Sequence, residues 1–438
     1  MTTYWCEYAW QLATLTKGAI VEVDDGGRIA SAAGTADTPP AGAHVLRGMV
    51  FPGFANVHSH AFHRALRGRT HADGGTFWTW RQAMYALSSR LDPDSYLRLA
   101  TAAYAEMAVA GYTVVGEFHY LHHPPGGGRY AEPNAMGEAL GEAALAAGIR
   151  LTLLDTCYLA GGIDTPLSSE QQRFSDGSVE AWAERAQPKR DRGVTRVGAA
   201  IHSVRAVPPT AIGKLSTFVE GRPLHVHVSE QPAENEACLA AYGRTPVELL
   251  ADSGALGPNT TAVHATHLTS ADVEALGSSR TAACFCPTTE ADLADGIGPA
   301  RELLDASSPL SLGSDQHAVV DPLVEARALE YGERLRTGQR GRLTPEELVT
   351  ALTSAGNAAL GWPGAGRIEE GAPADLVAVR LDSVRTAGCR PDQVMYAATA
   401  ADVQTVVSNG RIIAVDGRHE QLGDVGRLLG DAIGELWA

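Results

Sequence analysis

The chain has 438 residues, 45% hydrophobic and 20% charged, which is the balance of a globular protein large enough for one big domain or two. Its formal net charge of −16 at pH 7 disfavours nonspecific nucleic-acid binding. No apolar run approaches the roughly 20 residues of a bilayer span, and the start "MTTYWCEYAW" lacks a basic segment followed by an apolar one, so a cytoplasmic protein without membrane association is expected. The cysteines at 6, 157, 238, 284, 286 and 389 are scattered without a C-x-x-C, which suggests neither a disulfide framework nor a zinc ribbon. Cys284 and Cys286 have the residue types of metal ligands but read better as small apolar residues of a buried strand.

Residues 1–48 contain "GAIVEVDDGGRIASAAG", a β-rich run with Asp-Gly and Gly-Gly turn signals. From residue 49 the pattern changes. Short β-rich segments alternate with Ala- and Leu-rich stretches of helical periodicity such as "SYLRLATAAYAEMAVA" and "AMGEALGEAALAAG". The β segments are "GMVFPGFANVH", "GYTVVGEFHY", "IRLTLLDTCY", "TRVGAAIHSV", "RPLHVHVSE", "NTTAVHATHL", "RTAACFCPTTE" and "SPLSLGSDQH". Eight such units predict an α/β fold, a (β/α)8 barrel over residues 49–365, whose active site lies at the C-terminal strand ends. A doubly wound open sheet is the competitor, but no G-x-G-x-x-G follows the first strand. Residues 366–438, with "ADLVAVRL" and "VQTVVSNGRIIAVDGRH", predict the second half of a small flanking β-sandwich domain whose first half is residues 1–48.

The chemistry-bearing residues gather at the predicted strand ends. The first segment runs into His58, His60 and His63; a strand puts His58 and His60 on one side, and neutral imidazoles suit zinc and similar ions. The fifth offers His225 and His227 on one face, with Glu230 three residues on; the sixth offers His264 and His267; the eighth offers Asp315 and His317. Each alone fits a hydrogen-bonded core histidine or a solvated carboxylate. Together, two histidines, a third histidine and an aspartate make a four-ligand set that leaves room for water, as in a catalytic metal site.

This arrangement resembles the amidohydrolase superfamily: the His-x-His after an apolar first strand, the His and Glu at the fifth, the His at the sixth, the Ser-Asp at the eighth, and the flanking β domain. Within it, "HSHAFHRAL", "FWTWRQAMY", "GEFHYLHH", "HSVRAV", "HVSEQ", "VHATH" and "CPTTEADLADGI" resemble the formimidoylglutamate deiminases, which hydrolyse N-formimino-L-glutamate to N-formyl-L-glutamate and ammonia in histidine breakdown. The resemblance implies a metal held by His58, His60, His227 and Asp315, and proton transfer by Glu230 and His264. Asp315, beside the attacking water, would take its proton. By the same resemblance Arg81, Tyr120, His202 and Arg205 bind a small dicarboxylate substrate, with the planar fork of arginine suited to carboxylates. It also implies a homodimer.

Where family members often carry glutamine after "HSHAF", this chain has His63, which splits donor and acceptor roles between two ring nitrogens at that substrate contact. Two-metal relatives bridge their ions with a carboxylated lysine at the fourth strand end. Only Lys17, Lys189 and Lys214 are present, and none ends a predicted barrel strand, so one divalent ion per chain, zinc, is expected. The alternatives are a deaminase of the same superfamily acting on guanine or a related ring, and a barrel that has lost its chemistry. Arg81 and Arg205 speak against the first, and the complete ligand set against the second.

Overall fold

An abrupt change of partner at Gly53 separates two eight-stranded sheets. The computed structural model describes residues 1–11, 14–71, 75–186, 191, 193–219 and 221–438. Strand His44–Pro52 pairs in parallel with Thr2–Gln11 and antiparallel with Leu376–Val379, and this seam joins the two chain ends into one sheet. Successive side chains on a strand face opposite ways. Leu46 and Val50 therefore enter the small domain's own core with Tyr4, Val21 and Leu376, whereas Met49 and Phe51 face the barrel's. "GMVFPGFANVH" is thus two strands, and the domain change expected after residue 48 falls inside the first of them. Pro52 has no N–H to extend the ladder. At Gly53 a Cβ would lie 2.2 Å from Thr113 Oγ1 and 2.6 Å from Asp375 Cβ, so only glycine fits where the chain crosses between sheets.

The second sheet is all parallel: β1 (Phe54–Ser59), β2 (Tyr112–His119), β3 (Arg150–Cys157), β4 (Thr195–Ile201), β5 (Leu224–Val228), β6 (Thr260–His264), β7 (Ala282–Phe285) and β8 (Leu310–Leu312), neighbouring in that order. Most of these strands are buried on both faces, as in a helix-wrapped barrel. The intervening helices carry their own start and stop signals. Pro93–Ala110, for example, begins at Asp92, whose side chain accepts from the Ser95 amide, and ends on left-handed Gly111.

Closure occurs just beyond β8. The His58 carbonyl accepts the amides of Ser314 (3.1 Å) and Asp315 (2.9 Å), and the Asp315 carbonyl accepts the amide of His60 (3.1 Å). Buried Asn56 ties the same seam, accepting from the Ser314 amide at 2.9 Å and donating to its hydroxyl at 2.7 Å. The eight-stranded (β/α)8 barrel is therefore present, with the terminal sheet beside it. Among the described residues no helix is long and apolar enough to cross a membrane.

A buried ion pair fastens the two sheets together. Arg150 on β3 donates to both Asp375 carboxylate oxygens and, at 3.0 Å, to Asn409 Oδ1, while Asp375 Oδ1 also accepts the Asn409 amide at 2.9 Å. Both charged side chains are buried. Removing one partner of such a pair strands the other charge, at about 3–5 kcal/mol. Arg150→Met is expected to lower unfolding stability by about that amount, read from the urea midpoint. A change below about 1 kcal/mol would mean that Asn409 alone satisfies Asp375.

Candidate metal centre and active site

The barrel seam puts two histidines and an aspartate in one place. His58 and His60 leave β1 on the same side, and closure brings Asp315 between them, its Oδ1 3.3 Å from His58 Nε2 and 3.4 Å from His60 Nε2. β5 contributes His227, whose Nε2 lies 3.1 Å from that of His58. The His60 ring directs Nδ1 at the Phe118 carbonyl, 3.0 Å away, which places the ring proton there and leaves Nε2 bare. Burial, reinforced by the neighbouring histidines, pushes the pKa of His58 and His227 far down and that of His60 to about 3. These are neutral imidazoles, in the protonation state in which histidine binds metal; His58 and His60 face an aspartate oxygen, and His227 faces His58. The donor set fits a divalent cation.

Beyond this cluster, His264 stands at the end of β6. Its Nε2 is 3.9 Å from both Glu230 Oε1 and Asp315 Oδ2, and its Nδ1 is 3.4 Å from Glu290 Oε1. Burial alone would lower its pKa, but Glu230, Glu290 and Asp315 outweigh it and hold the imidazole well above its ordinary value. The backbone here is unusual: φ is positive at Ser229, His264, Ala265, Asp315 and His317. Such left-handed geometry outside glycine costs of order 1–3 kcal/mol each and concentrates at functional sites.

A cavity of about 350 Å³ opens over the cluster, lined in part by His60, His227, Glu230, His264 and Asp315. His63, Arg81, Tyr120, His202 and Arg205, the residues expected to meet substrate, all reach its wall. His63 Nε2 is 3.0 Å from the Tyr120 hydroxyl. Arg81 donates through Nε to Tyr85 Oη at 2.6 Å, and the Gln171 amide bridges Tyr85 and Tyr158. Burial, with Arg205 and Arg81 beside it, lowers the His202 pKa.

Arg205 differs from the simple picture of an arginine waiting for substrate. It donates to Glu230 Oε2 at 3.1 Å and lies 3.6 Å from Glu234 Oε2. Among the other histidines, His225 sits one layer deeper, with Nε2 3.2 Å from the Ala359 carbonyl, and His267 faces the Asp295 carbonyl at 2.7 Å. Neither joins the donor cluster. Cys284 and Cys286 both pack in an apolar cluster with Val57 and Val114, and Cys286 also lies close to His264 and Asp315. Lys17 and Lys214 lie away from the barrel mouth, in strand Thr14–Val23 and helix Pro209–Phe218, and Lys189 is outside the described residues.

A model of the amidohydrolase family matches residues 49–413. The chain belongs to the amidohydrolase family. Its relatives include the formimidoylglutamate deiminase of Pseudomonas aeruginosa, 38% identical over 90% of this chain and 91% of that protein. An 8-oxoguanine deaminase of the same species is 31% identical over 86% and 84%. An amidohydrolase from Brucella melitensis superposes over all of both chains with a TM-score of 0.93 at 30% identity. An adenosine deaminase from Xanthomonas campestris with bound zinc shares the fold, with a TM-score of 0.85 at 23% identity over 100% of this chain and 97% of the other.

Several buried carboxylates of this amidohydrolase were not singled out from the sequence. Glu117 on β2 accepts the Ser59 hydroxyl (2.8 Å) and the Ala61 amide (2.7 Å), bracing the backbone on either side of His60; burial pushes its pKa up to about 7. Asp295, raised by burial to about 8, accepts from Gln231, and Glu290 backs His264. The usable signal was their position near the C-terminal end of a strand, Glu117 within "GEFHY" and Glu290 and Asp295 after β7 in "CPTTEADLADGI".

If His58, His60, His227 and Asp315 hold the metal as expected, removing one of them should weaken binding by more than the 10–100-fold typical of outer-sphere changes. His227→Ala is therefore expected to lower affinity for Zn²⁺ more than about 100-fold in a competition titration with a chromophoric chelator. Unchanged affinity would remove His227 from the ligand set.

Proposed function

We propose that this amidohydrolase is a zinc-dependent formimidoylglutamate deiminase of the cytoplasm, converting N-formimino-L-glutamate to N-formyl-L-glutamate and ammonia in histidine breakdown. The observation that carries the reading is one cavity with metal-type donors and proton-transfer groups on its floor and two arginines on its wall. The substrate has matching features: a formimino carbon to be hydrolysed and two carboxylates to be held. Identity to the Pseudomonas deiminase over nearly the full length supports the same choice.

His58, His60, His227 and Asp315 would hold one divalent ion, and no described lysine at the end of β4 offers a bridge for a second; His202 follows that strand. When bound, such an ion supplies a water whose pKa falls from about 15.7 towards about 7. Asp315 divides its labour by oxygen. Oδ1 faces the imidazoles, while Oδ2 faces His264 and is placed to take a proton from the attacking water. Glu230 is divided likewise: Arg205 binds Oε2, which leaves Oε1 to carry a proton to the formimino nitrogen, so that ammonia departs instead of an amide anion. His264 Nε2, between these two oxygens, steadies charge developing on the attacking oxygen.

A ring deaminase is the second reading, because aromatic side chains of Trp80, Tyr120, Tyr158 and Phe174 also line the cavity and would stack on a purine. The two readings separate in one assay: ammonia release from purified protein offered N-formimino-L-glutamate, guanine and 8-oxoguanine. Turnover of the formimino compound is expected, and turnover of a purine alone would replace the proposal. In the same assay Glu230→Gln is expected to keep its metal and lose about 10²–10⁴-fold in rate. Full activity would move the proton transfer to another group.

Arg81 gives the cleaner test of carboxylate recognition, since Arg205→Met would also strand Glu230 and Glu234. Arg81→Met should cost about 10- to 150-fold in kcat/KM for N-formimino-L-glutamate, the value of one hydrogen bond to a charged group. A formimino compound without carboxylates should lose far less. Equal losses for both compounds would make Arg81 a support for the helix Phe77–Ser88 instead of a substrate contact.

A further inference from the structure

Glu290 touches His264 without lining the cavity. It lies in the first turn of helix Pro287–Asp292, which begins directly after β7. Its Oε1 accepts the Cys286 amide at 2.8 Å and faces His264 Nδ1 at 3.4 Å. The turn that carries it is anchored on two sides. Glu325, fully buried on helix Pro322–Thr337, accepts from the Thr288 amide at 3.0 Å and hydroxyl at 2.5 Å. The Thr289 hydroxyl reaches the Ser314 carbonyl at 3.4 Å, next to Asp315. The carboxylate is thus fixed relative to both β6 and β8.

We infer that Glu290 is a positioning residue that keeps a hydrogen on His264 Nδ1 and aims Nε2 at the reacting atoms between Glu230 and Asp315. The partner of one ring nitrogen decides how the other is aimed, whichever charge state the ring holds. An acceptor on the Nδ1 side leaves Nε2 as the nitrogen offered to the cavity. The same contact stops the ring from turning about its Cβ–Cγ bond, which would carry Nε2 away from both carboxylates. Glu290 acts through His264, since the substrate does not reach it. The inference rests on the centre being a hydrolytic deaminase site, whatever compound is turned over.

The test compares Glu290→Leu and Glu290→Gln in the metal-loaded full chain. The leucine variant should lose about 10- to 150-fold in kcat, the range for a hydrogen bond to a charged group, with metal content unchanged. KM should stay within about twofold, because no substrate contact is lost. Glutamine still offers an amide oxygen to both Cys286 and His264, so its kcat should return to within a few-fold of the parent. Long-range ¹H–¹⁵N spectra of ¹⁵N-histidine-labelled protein, with His264 assigned by His264→Asn, read the ring directly. Nδ1 should be protonated in the parent and in Glu290→Gln, but only in part in Glu290→Leu.

Parental kcat in Glu290→Leu would overturn the inference, as would a proton on Nε2 alone in the parent. So would a joint loss of metal, KM and kcat that glutamine fails to rescue, which would make Glu290 a helix anchor. If no compound in the panel releases ammonia, the deaminase reading fails, and the spectra still decide what Glu290 does.

Discussion

Everything in the active centre depends on how the barrel closes. The His58 carbonyl accepts two successive amides, those of Ser314 and Asp315, and this pair of hydrogen bonds sets the distance between β1 and the end of β8. The two strands approach so closely that a Cβ on Gly313 would lie 2.7 Å from that same carbonyl oxygen. A bulkier residue would open the seam, and the first contact to go would be Asp315 Oδ1 against His58 and His60. Three of the four residues proposed to hold the metal, His58, His60 and Asp315, are therefore part of the closure itself. They are the residues at which the sheet becomes a ring.

The price of placing side chains this way is backbone strain, and its location is instructive. His264 and Asp315 both adopt left-handed φ, +70° and +43°, where glycine or asparagine is the ordinary choice. Glycine would relieve the strain and remove the function. The strand ends can turn sharply because the buried strands beneath them fix the chain up to the last residue, and the loops are tied by further buried groups. Glu117 bracing the two residues that flank His60 is one case, and Glu325 holding Thr288 is another. Buried carboxylates here serve mainly as acceptors for backbone and hydroxyl donors, and that keeps such groups tolerable inside the protein.

What the sequence made legible follows from which forces act locally. Eight β segments, their order and the residues at their C-terminal ends could be read because strand burial, helix caps and turn glycines all leave short-range marks. His58, His60, His227, His264 and Asp315 come together as expected because a parallel barrel brings every strand end to one rim. The division between the sheets was misplaced, since the apolar run through Met49, Val50 and Phe51 looks the same whether it feeds the terminal sheet or the barrel. Only the crowding around Gly53, a contact with residues far along the chain, decides it. The carboxylate–histidine contact of Glu290 and the pinning of Arg205 by Glu230 and Glu234 were hidden for the same reason. Each depends on distances between separate loops, which no local pattern encodes.

The charge pattern of the cavity bears on what it can hold. Glu230, Glu234 and Asp315 line it with Glu290 close behind, whereas Asp295, raised to about 8, is mostly uncharged at pH 7; Arg81 and Arg205 on the wall and His264, whose pKa is held up by its carboxylate neighbours, stand on the positive side. Arg205 spends much of its field on Glu230 and Glu234, so the acidic end is only partly neutralised. A divalent ion at the histidines would add two positive charges at that end and change the sign of the balance there. Before the ion binds, the acidic groups favour cations; after it binds, the same cavity can accept an anionic ligand. A substrate carrying both a cationic formimino group and carboxylates suits that second state, because its positive end meets Glu230 while its negative ends are left for arginine. A neutral purine would use the aromatic walls but would leave Arg81 with no carboxylate to hold. The choice between them turns on whether Arg81, already bonded to Tyr85, also meets an anion of the ligand.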